Sequence, residues 1–185
     1  DYKALVCIFL FGGMDGHDTV IPYDQSSYNN FESVREVLLS NLDNSLEGFA
    51  SRRRNALLPL NGSVPDGRQF AFAEEYRPLH ELYQSGNAAV IGNVGPLIEP
   101  TTRTTYRNDT AALPARLFSH NDQQSTWMAS QPEGASSGWG GRFGDIMDAA
   151  NANSNSAFTT VSASGSSVFL TGDTVTPFTV STSGA

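Results

Sequence analysis

Residues 4–11 form an uninterrupted apolar run, ALVCIFLF, that ends at the Gly12-Gly13 pair. A run of this length that contains Val, Ile and two Phe is typical of a strand buried on both faces, as the strands of parallel sheets are. Residues 12–23 follow as a predicted loop, because they contain three glycines and a proline. The run therefore predicts a central sheet whose functional loops leave the carboxyl ends of buried strands.

A second strand is predicted further along the chain. Residues 72–84 have the spacing of an amphipathic helix, and Gly86 lies where such a helix would end. Residues 88–94, AAVIGNV, then match another buried strand. Helix, glycine and apolar strand make up the second half of a βαβ unit. We therefore expect residues 4–11 and 88–94 to be adjacent parallel strands.

Three further helices complete the predicted architecture. They cover residues 26–39, with Ser26 or Ser27 as the N-cap, residues 119–130 and residues 141–150. These elements predict an α/β fold, with a mostly parallel central sheet flanked by helices. We expect residues 1–150 to form the body of one domain, and the Ser/Thr-rich, β-prone residues 151–185 to continue it.

Charge, hydropathy and cysteine content exclude several kinds of partner and leave two cellular compartments open. The net charge of −8 argues against nucleic acid or an anionic membrane as the main partner. No apolar run approaches the ~20 residues of a transmembrane helix. A single cysteine, Cys7, excludes a disulfide framework within the chain, and its place in the first strand predicts a core position. No leader pattern is visible, so either the protein is cytoplasmic or a leader was removed ahead of Asp1.

The loop after the first strand contains a cluster of candidate metal ligands. Asp15, His17 and Asp18 supply carboxylate and imidazole groups within four residues, at the sheet edge where ligands bind. Such a set suits a divalent metal of borderline or hard character. The alternative is a turn in which the aspartates accept hydrogen bonds from backbone amides. The residues alone leave both interpretations open.

A second candidate site lies at the start of the predicted helix 119–130. Ser119 is a candidate nucleophile, because the amides and dipole of a helix N-terminus stabilise a phosphate-like or sulfate-like group. His120 beside it is a candidate base, metal ligand or positioning donor. The alternative is structural, since Ser119 and Asp122 have the spacing of an N-cap and its third helical residue. Capping and catalysis do not exclude each other.

The run Arg52-Arg53-Arg54 is the densest cluster of positive charge. It allows two interpretations, an anion clamp or a solvated loop, and the charge pattern favours the solvated loop.

Four segments resemble a bacterial family known as domain of unknown function 1501, which is related to the alkaline phosphatase and sulfatase superfamily. The matching segments, in order, are YKALVCIFLFGGMDGHDTVIPY at 2–23, LHELYQSGNAAVIGNVGPL at 79–97, FSHNDQQSTW at 118–127 and GWGGRFGD at 138–145. They span most of residues 2–145 in the expected order.

The resemblance implies an exported, periplasmic or extracellular bacterial protein, often made with a twin-arginine leader. It implies an alkaline-phosphatase-like sheet that holds one or two divalent metals, with Asp15 at the position of the first-strand metal carboxylate. Ser119 then matches the nucleophile region by location, with His120 next to it. Family members are usually longer and carry further Asp and His ligands late in the sequence. The resemblance therefore implies an N-terminal portion that is incomplete and inactive by itself.

Two functional hypotheses follow from the residues and the resemblance together. The first is a metal-dependent hydrolase of small anionic phosphate or sulfate esters, with Ser119 as nucleophile and the metal at Asp15 neutralising the developing charge. The second is a non-catalytic envelope or surface module that binds or assembles with the missing C-terminal half or with other protein chains. A cytoplasmic nucleotide-binding domain is disfavoured, because no phosphate-binding loop follows the first strand.

Overall fold

The computed structural model of the chain describes residues 4–12, 14–45, 47–62 and 64–181. The chain divides into two compact units, Asp1–Ile91 and Gly92–Ala185. Some predicted features lie outside the described residues, namely Gly13 of the glycine pair and residues 1–3 and 182–185 of the predicted domain.

The first unit contains a small antiparallel sheet. Its strands are β1, Val20–Pro22, β2, Leu58–Pro59, and β3, Phe70–Phe72, in the order β1-β3-β2. Both prolines lie on the edge strands, where the missing N–H does not interrupt a ladder on both sides. The central strand β3 contains no proline and pairs on both sides, and two of its three residues are buried.

A long helix, α1, Gln25–Asp43, covers this sheet. Its buried residues Tyr28, Phe31 and Leu39 form the core together with Ile21, Leu57 and Ala71. The spacing of Tyr28, Phe31 and Leu39 is helical, so one face of α1 is buried. The prediction of a helix here is confirmed, but the N-cap is Asp24, whose carboxylate accepts a 2.9 Å hydrogen bond from the N–H of Ser27.

The second helix of this unit, α2, Arg77–Gln84, begins later than the sequence predicts. Residues 70–72 belong to β3, and the 3₁₀ turn Glu74–Tyr76 separates that strand from the helix. Gly86 has a φ of +77°. It follows the C-cap, where a left-handed backbone favours glycine, as its position in the sequence predicts.

The second unit contains three helices and one pair of strands among its described residues. They are α3, Arg103–Arg107, α4, His120–Ala129, α5, Trp139–Ala149, β4, Val161–Ser162, and β5, Phe178–Thr179. β4 and β5 pair in parallel. The helices predicted over 119–130 and 141–150 are thus confirmed as α4 and α5, with shifts of one or two residues at their ends.

A glycine face allows α5 to lie directly against a neighbouring backbone. Gly140, Gly141 and Gly144 are buried on it. A Cβ at Gly141 would lie 2.0 Å from the carbonyl carbon of Thr171, which no side chain tolerates. The segment that contains Thr171 follows the 3₁₀ turn Val168–Leu170, so the glycines fix how this turn packs on the helix.

The prediction of a mostly parallel, alkaline-phosphatase-like sheet is wrong. The described residues form one sheet of three antiparallel strands and one pair of parallel strands. Residues 4–11 and 88–94 are not strands, and Ile8 and Ile91 are both 81% exposed. A buried strand needs ladder partners and cover on both faces. Here the buried face of α1 covers the antiparallel sheet instead. Residues 4–11 and 88–94 therefore have no ladder partners and no cover on their faces among the described residues.

Cys7 belongs to the first of these runs and is a free, exposed thiol. Its predicted core position is therefore wrong, for the same reason as the predicted strand.

Candidate functional site

Asp15 shapes the loop that the sequence predicts to bind metal. It is the N-cap of the 3₁₀ turn Gly16–Asp18, and its Oδ1 accepts a 2.9 Å hydrogen bond from the N–H of His17. Its Oδ2 lies 2.5 Å from Nη2 of Arg35, which belongs to α1. Both oxygens of the carboxylate are therefore engaged by groups of the protein. This is the turn-forming role that the sequence leaves open as the alternative.

These contacts decide the charge state of Asp15. Partial burial by itself raises the pKa of this carboxyl, but the hydrogen bonds from Arg35 and from the N–H of His17 outweigh that effect. The net result is a lowered pKa. Asp15 is thus a carboxylate whose negative charge is already neutralised by a guanidinium.

Asp18 is held by a different arginine. Its Oδ2 accepts a 2.9 Å hydrogen bond from Nε of Arg52, a residue only 7% exposed. Arg52 Nη1 also donates to the carbonyl oxygen of Ala50 at 2.6 Å and pairs with Glu75 at 2.9 Å. A buried guanidinium is tolerated only when its donors are satisfied in this way. Asp18 is therefore part of the pairing that keeps Arg52 buried.

The three predicted metal ligands do not form a set that could hold a metal ion. The carboxylates of Asp15 and Asp18 each face an arginine, Arg35 and Arg52. In the part of the chain that the structure describes, no group of three or more His, Cys, Asp or Glu side chains could hold a metal ion. A cation placed at either carboxylate would have to displace a guanidinium, so the residues present do not fit a divalent metal.

Ser119 acts as the cap that the sequence predicts. It precedes α4, and its Oγ accepts a hydrogen bond of 3.5 Å from the N–H of Asp122. The carboxylate of Asp122 is buried and also accepts from Arg116 at 3.1 Å and from the N–H of Glu133 at 3.0 Å. The Ser119 hydroxyl, then the N–H of Glu133 and the charge of Arg116 lower the pKa of Asp122. Ser119 thus belongs to a network that fastens the start of α4.

His120 follows Ser119 as the first residue of α4 and is exposed. It lies in the second unit together with Ser119, whereas Asp15, His17 and Asp18 lie in the first. The predicted metal ligands and the predicted nucleophile therefore belong to different units.

The arginine run is neither an anion clamp nor a solvated loop. Arg53 is surrounded by acids, with Glu32 at 3.0 Å, Glu36 at 2.8 Å and Asp43 at 2.8 Å. Hydrogen bonds from Arg53 and Ser40 lower the pKa of Glu36 to about 2. The signal in the sequence was the acids on α1, spaced so that three of them reach one side of the helix. Sequence reasoning did not connect them with the arginines.

Asp145 is a second tightly bound carboxylate that sequence reasoning missed. Its oxygens accept hydrogen bonds from the N–H groups of Asp173, Thr174 and Val175 at 2.8, 3.0 and 2.8 Å. The Thr174 hydroxyl donates a fourth, at 2.7 Å. The N–H of Val175 and the Thr174 hydroxyl are the main reasons that the pKa of Asp145 falls to about 2. Asp145 therefore fixes the loop 172–175 on α5.

Comparisons with known proteins give no relative. No protein-family model matches the chain, and no curated protein and no solved structure matches it significantly. The resemblance of the four sequence segments stays a hypothesis about ancestry.

Proposed function

We propose that this chain is a non-catalytic binding module of an exported protein, which assembles with further polypeptide through exposed apolar segments. The observation that carries the proposal is the exposure of residues 5–11. The large apolar residues of this segment are between 44% and 81% exposed. Exposed apolar stretches of this size mark interaction sites in water-soluble proteins.

A second apolar segment supports the same function. Ile91, Val94, Leu97 and Ile98 are all more than half exposed. Both segments lack regular secondary structure, so they have no sheet ladder that would compete with a strand of a partner, although the C=O of Leu10 accepts a 3.1 Å hydrogen bond from the N–H of Gly12. Addition of a strand would satisfy the backbone and cover alternate side chains at the same time.

A polypeptide partner fits these segments better than a lipid surface does. The net charge of −8 opposes binding to anionic lipid. Among the described residues, no helix has both the length and the apolar character that a membrane span requires. The partner chemistry that remains is an apolar polypeptide surface with an unpaired strand edge.

Site-specific photo-crosslinking in the cells that produce the protein tests this function. Ile8 is replaced by p-benzoylphenylalanine, and exposed Asn29 on α1 is replaced in the same way as the matched control. We expect a cross-link to polypeptide from position 8 and not from position 29, and its loss when Leu10→Asp is added. Cross-links from position 8 to lipid alone, or none above the control, would contradict the proposal.

The hydrolase of phosphate or sulfate esters is the second candidate. The observation in its favour is the placement of Ser119 at the N-terminus of a ten-residue helix beside exposed His120. It is tested by turnover of an aryl phosphate before and after Ser119→Asn, since Asn caps a helix well but cannot attack an ester. Loss of turnover with an unchanged melting temperature would favour the hydrolase.

A further inference from the structure

A groove in the first unit has two arginine side chains along its wall. It has a volume of about 810 Å³ and lies among the 3₁₀ turn at His17, the first half of α1, and the strands β1 and β3. Arg35 and Arg68 line it, and no Asp or Glu is among its described lining residues. In a chain with a net charge of −8, this groove is lined by two guanidinium groups, and the side chain of Arg68 is more exposed than that of Arg35.

Both arginines are held in place above aromatic rings. The guanidinium carbon of Arg35 lies 5.6 Å from the ring centroid of Phe31, and that of Arg68 lies 5.5 Å from that of Phe70. The two rings also line the groove. Stacking of this kind orients the flat cation and leaves its edge available for hydrogen bonds.

Arg35 and Arg68 have fewer of their N–H donors engaged than Arg53 has. Arg53 engages three carboxylates. Among the described residues, Arg35 is paired only with Asp15, and Arg68 only with Asp24, at 3.6 Å. A guanidinium carries five N–H donors, so most donors of Arg35 and Arg68 have no acceptor among the described residues.

We propose that this groove binds a small aromatic carboxylate. The guanidinium edges donate hydrogen bonds to the carboxylate in the two-pronged geometry that Arg favours, and Phe31, Phe70 and Val34 contact the flat apolar body. The volume is in the range of sites for small organic ligands. A monoanion fits better than a dianion, because Asp15 and Asp24 are paired with the two arginines and repel a second negative charge.

Titration of the 185-residue chain with 2-naphthoate, followed through its backbone and arginine N–H signals by NMR, tests the proposal. We expect saturable shifts at residues 17, 35 and 68. The uncharged 2-naphthamide should bind about tenfold more weakly, since hydrogen bonds to a charged group contribute that much. Equal binding of the two probes, or shifts confined to residues 4–11, would overturn the proposal.

Variants and a dianionic probe sharpen the result. Arg35→Gln and Arg68→Gln should each weaken 2-naphthoate binding about tenfold. Arg77→Gln is the matched control, because Arg77 pairs with Glu74 and does not line the groove. Phenylphosphonate at pH 8.5 should bind more weakly than benzoate, and tighter binding would overturn the assignment to carboxylates. Should a variant unfold, the comparison of charged and uncharged probes on the unaltered chain decides.

Discussion

The guanidinium of Arg35 lies 2.5 Å from the carboxylate of Asp15, the residue that the sequence places at a metal site. The two residues are 20 positions apart, on a loop and on the middle of α1. The pair gives Asp15 its countercharge from within the chain, so the carboxylate has no need of a metal ion. It also fixes one of the two arginines of the groove.

Removal of this countercharge should raise the pKa of Asp15. In Arg35→Gln, the hydrogen bond and the positive charge that lower the pKa are lost, while the partial burial that raises it remains. We expect the pKa to rise towards the ordinary aspartate value of 3.8, with the hydrogen bond from the N–H of His17 still lowering it. The carboxyl ¹³C shift of Asp15 during a pH titration measures this. Arg77→Gln, on another helix, should leave the titration unchanged, and an unchanged Asp15 in Arg35→Gln would rule out the pair.

Asp145 should make the second unit sensitive to acid. Its pKa is about 2 in the folded chain, against an ordinary value of 3.8. A lowered folded-state pKa means that the stabilisation is complete above pH 3.8 and is lost as the pH falls towards 2. We expect the melting temperature of the second unit to fall over this window.

Asp145→Asn should be less stable at neutral pH and should lose much of the acid dependence between pH 4 and 2, because the amide keeps only one acceptor oxygen for four donors. Asp148→Asn, on the same helix, is the control, since the Asp148 side chain makes no hydrogen bond with the described residues. Equal acid dependence in all three proteins would show that Asp145 does not hold the loop. Circular dichroism melts at each pH provide the comparison.

Local signals in the sequence predicted α1, α4 and α5 closely, but they placed the start of α2 too early and missed α3. α1 and α5 lie where the apolar residues predict them, α4 begins after its predicted cap Ser119, and Gly86 follows the end of α2. Each of these features depends on residues within about one helical turn of each other. Asp24 took the capping role predicted for Ser26 or Ser27 because its carboxylate reaches the N–H of Ser27 across the same short span.

The sheets and the ion pairs could not be predicted in this way. Burial of residues 4–11 was inferred from composition, but burial requires partners from distant parts of the chain. Leu58 and Val20 both pair with Phe72, at separations that periodicity does not encode. The same holds for Asp145 and Val175, which are 30 residues apart. Sequence spacing likewise revealed the neighbours of Asp15 within the loop, but not its pairing with Arg35 on α1.

Gly141→Ala should destabilise the second unit strongly. The new Cβ would lie 2.0 Å from the carbonyl carbon of Thr171, and a backbone atom cannot move aside as a flexible side chain can. We expect a loss of about 3 kcal/mol, at the upper end of overpacking effects. Both tryptophans, Trp127 and Trp139, lie in the second unit, so urea unfolding followed by tryptophan fluorescence reports on that unit.

Gly95→Ala provides the matched control, because its Cβ would meet no atom within 4 Å. It should leave the unfolding midpoint of the second unit almost unchanged. If Gly141→Ala had an equally small effect, α5 would not lie against the Thr171 backbone.

The 185-residue chain should not hydrolyse aryl phosphates or aryl sulfates with the help of a metal. A bound divalent ion needs about four ligands in a fixed shell. Here the carboxylates of Asp15 and Asp18 are occupied by Arg35 and Arg52. We expect the release of 4-nitrophenol from 4-nitrophenyl phosphate and sulfate to stay at the rate of a protein-free control with Mg²⁺, Mn²⁺ or Zn²⁺. Turnover that is abolished both by a chelator and by Ser119→Asn, with the melting temperature unchanged, would contradict this and place catalysis at the start of α4.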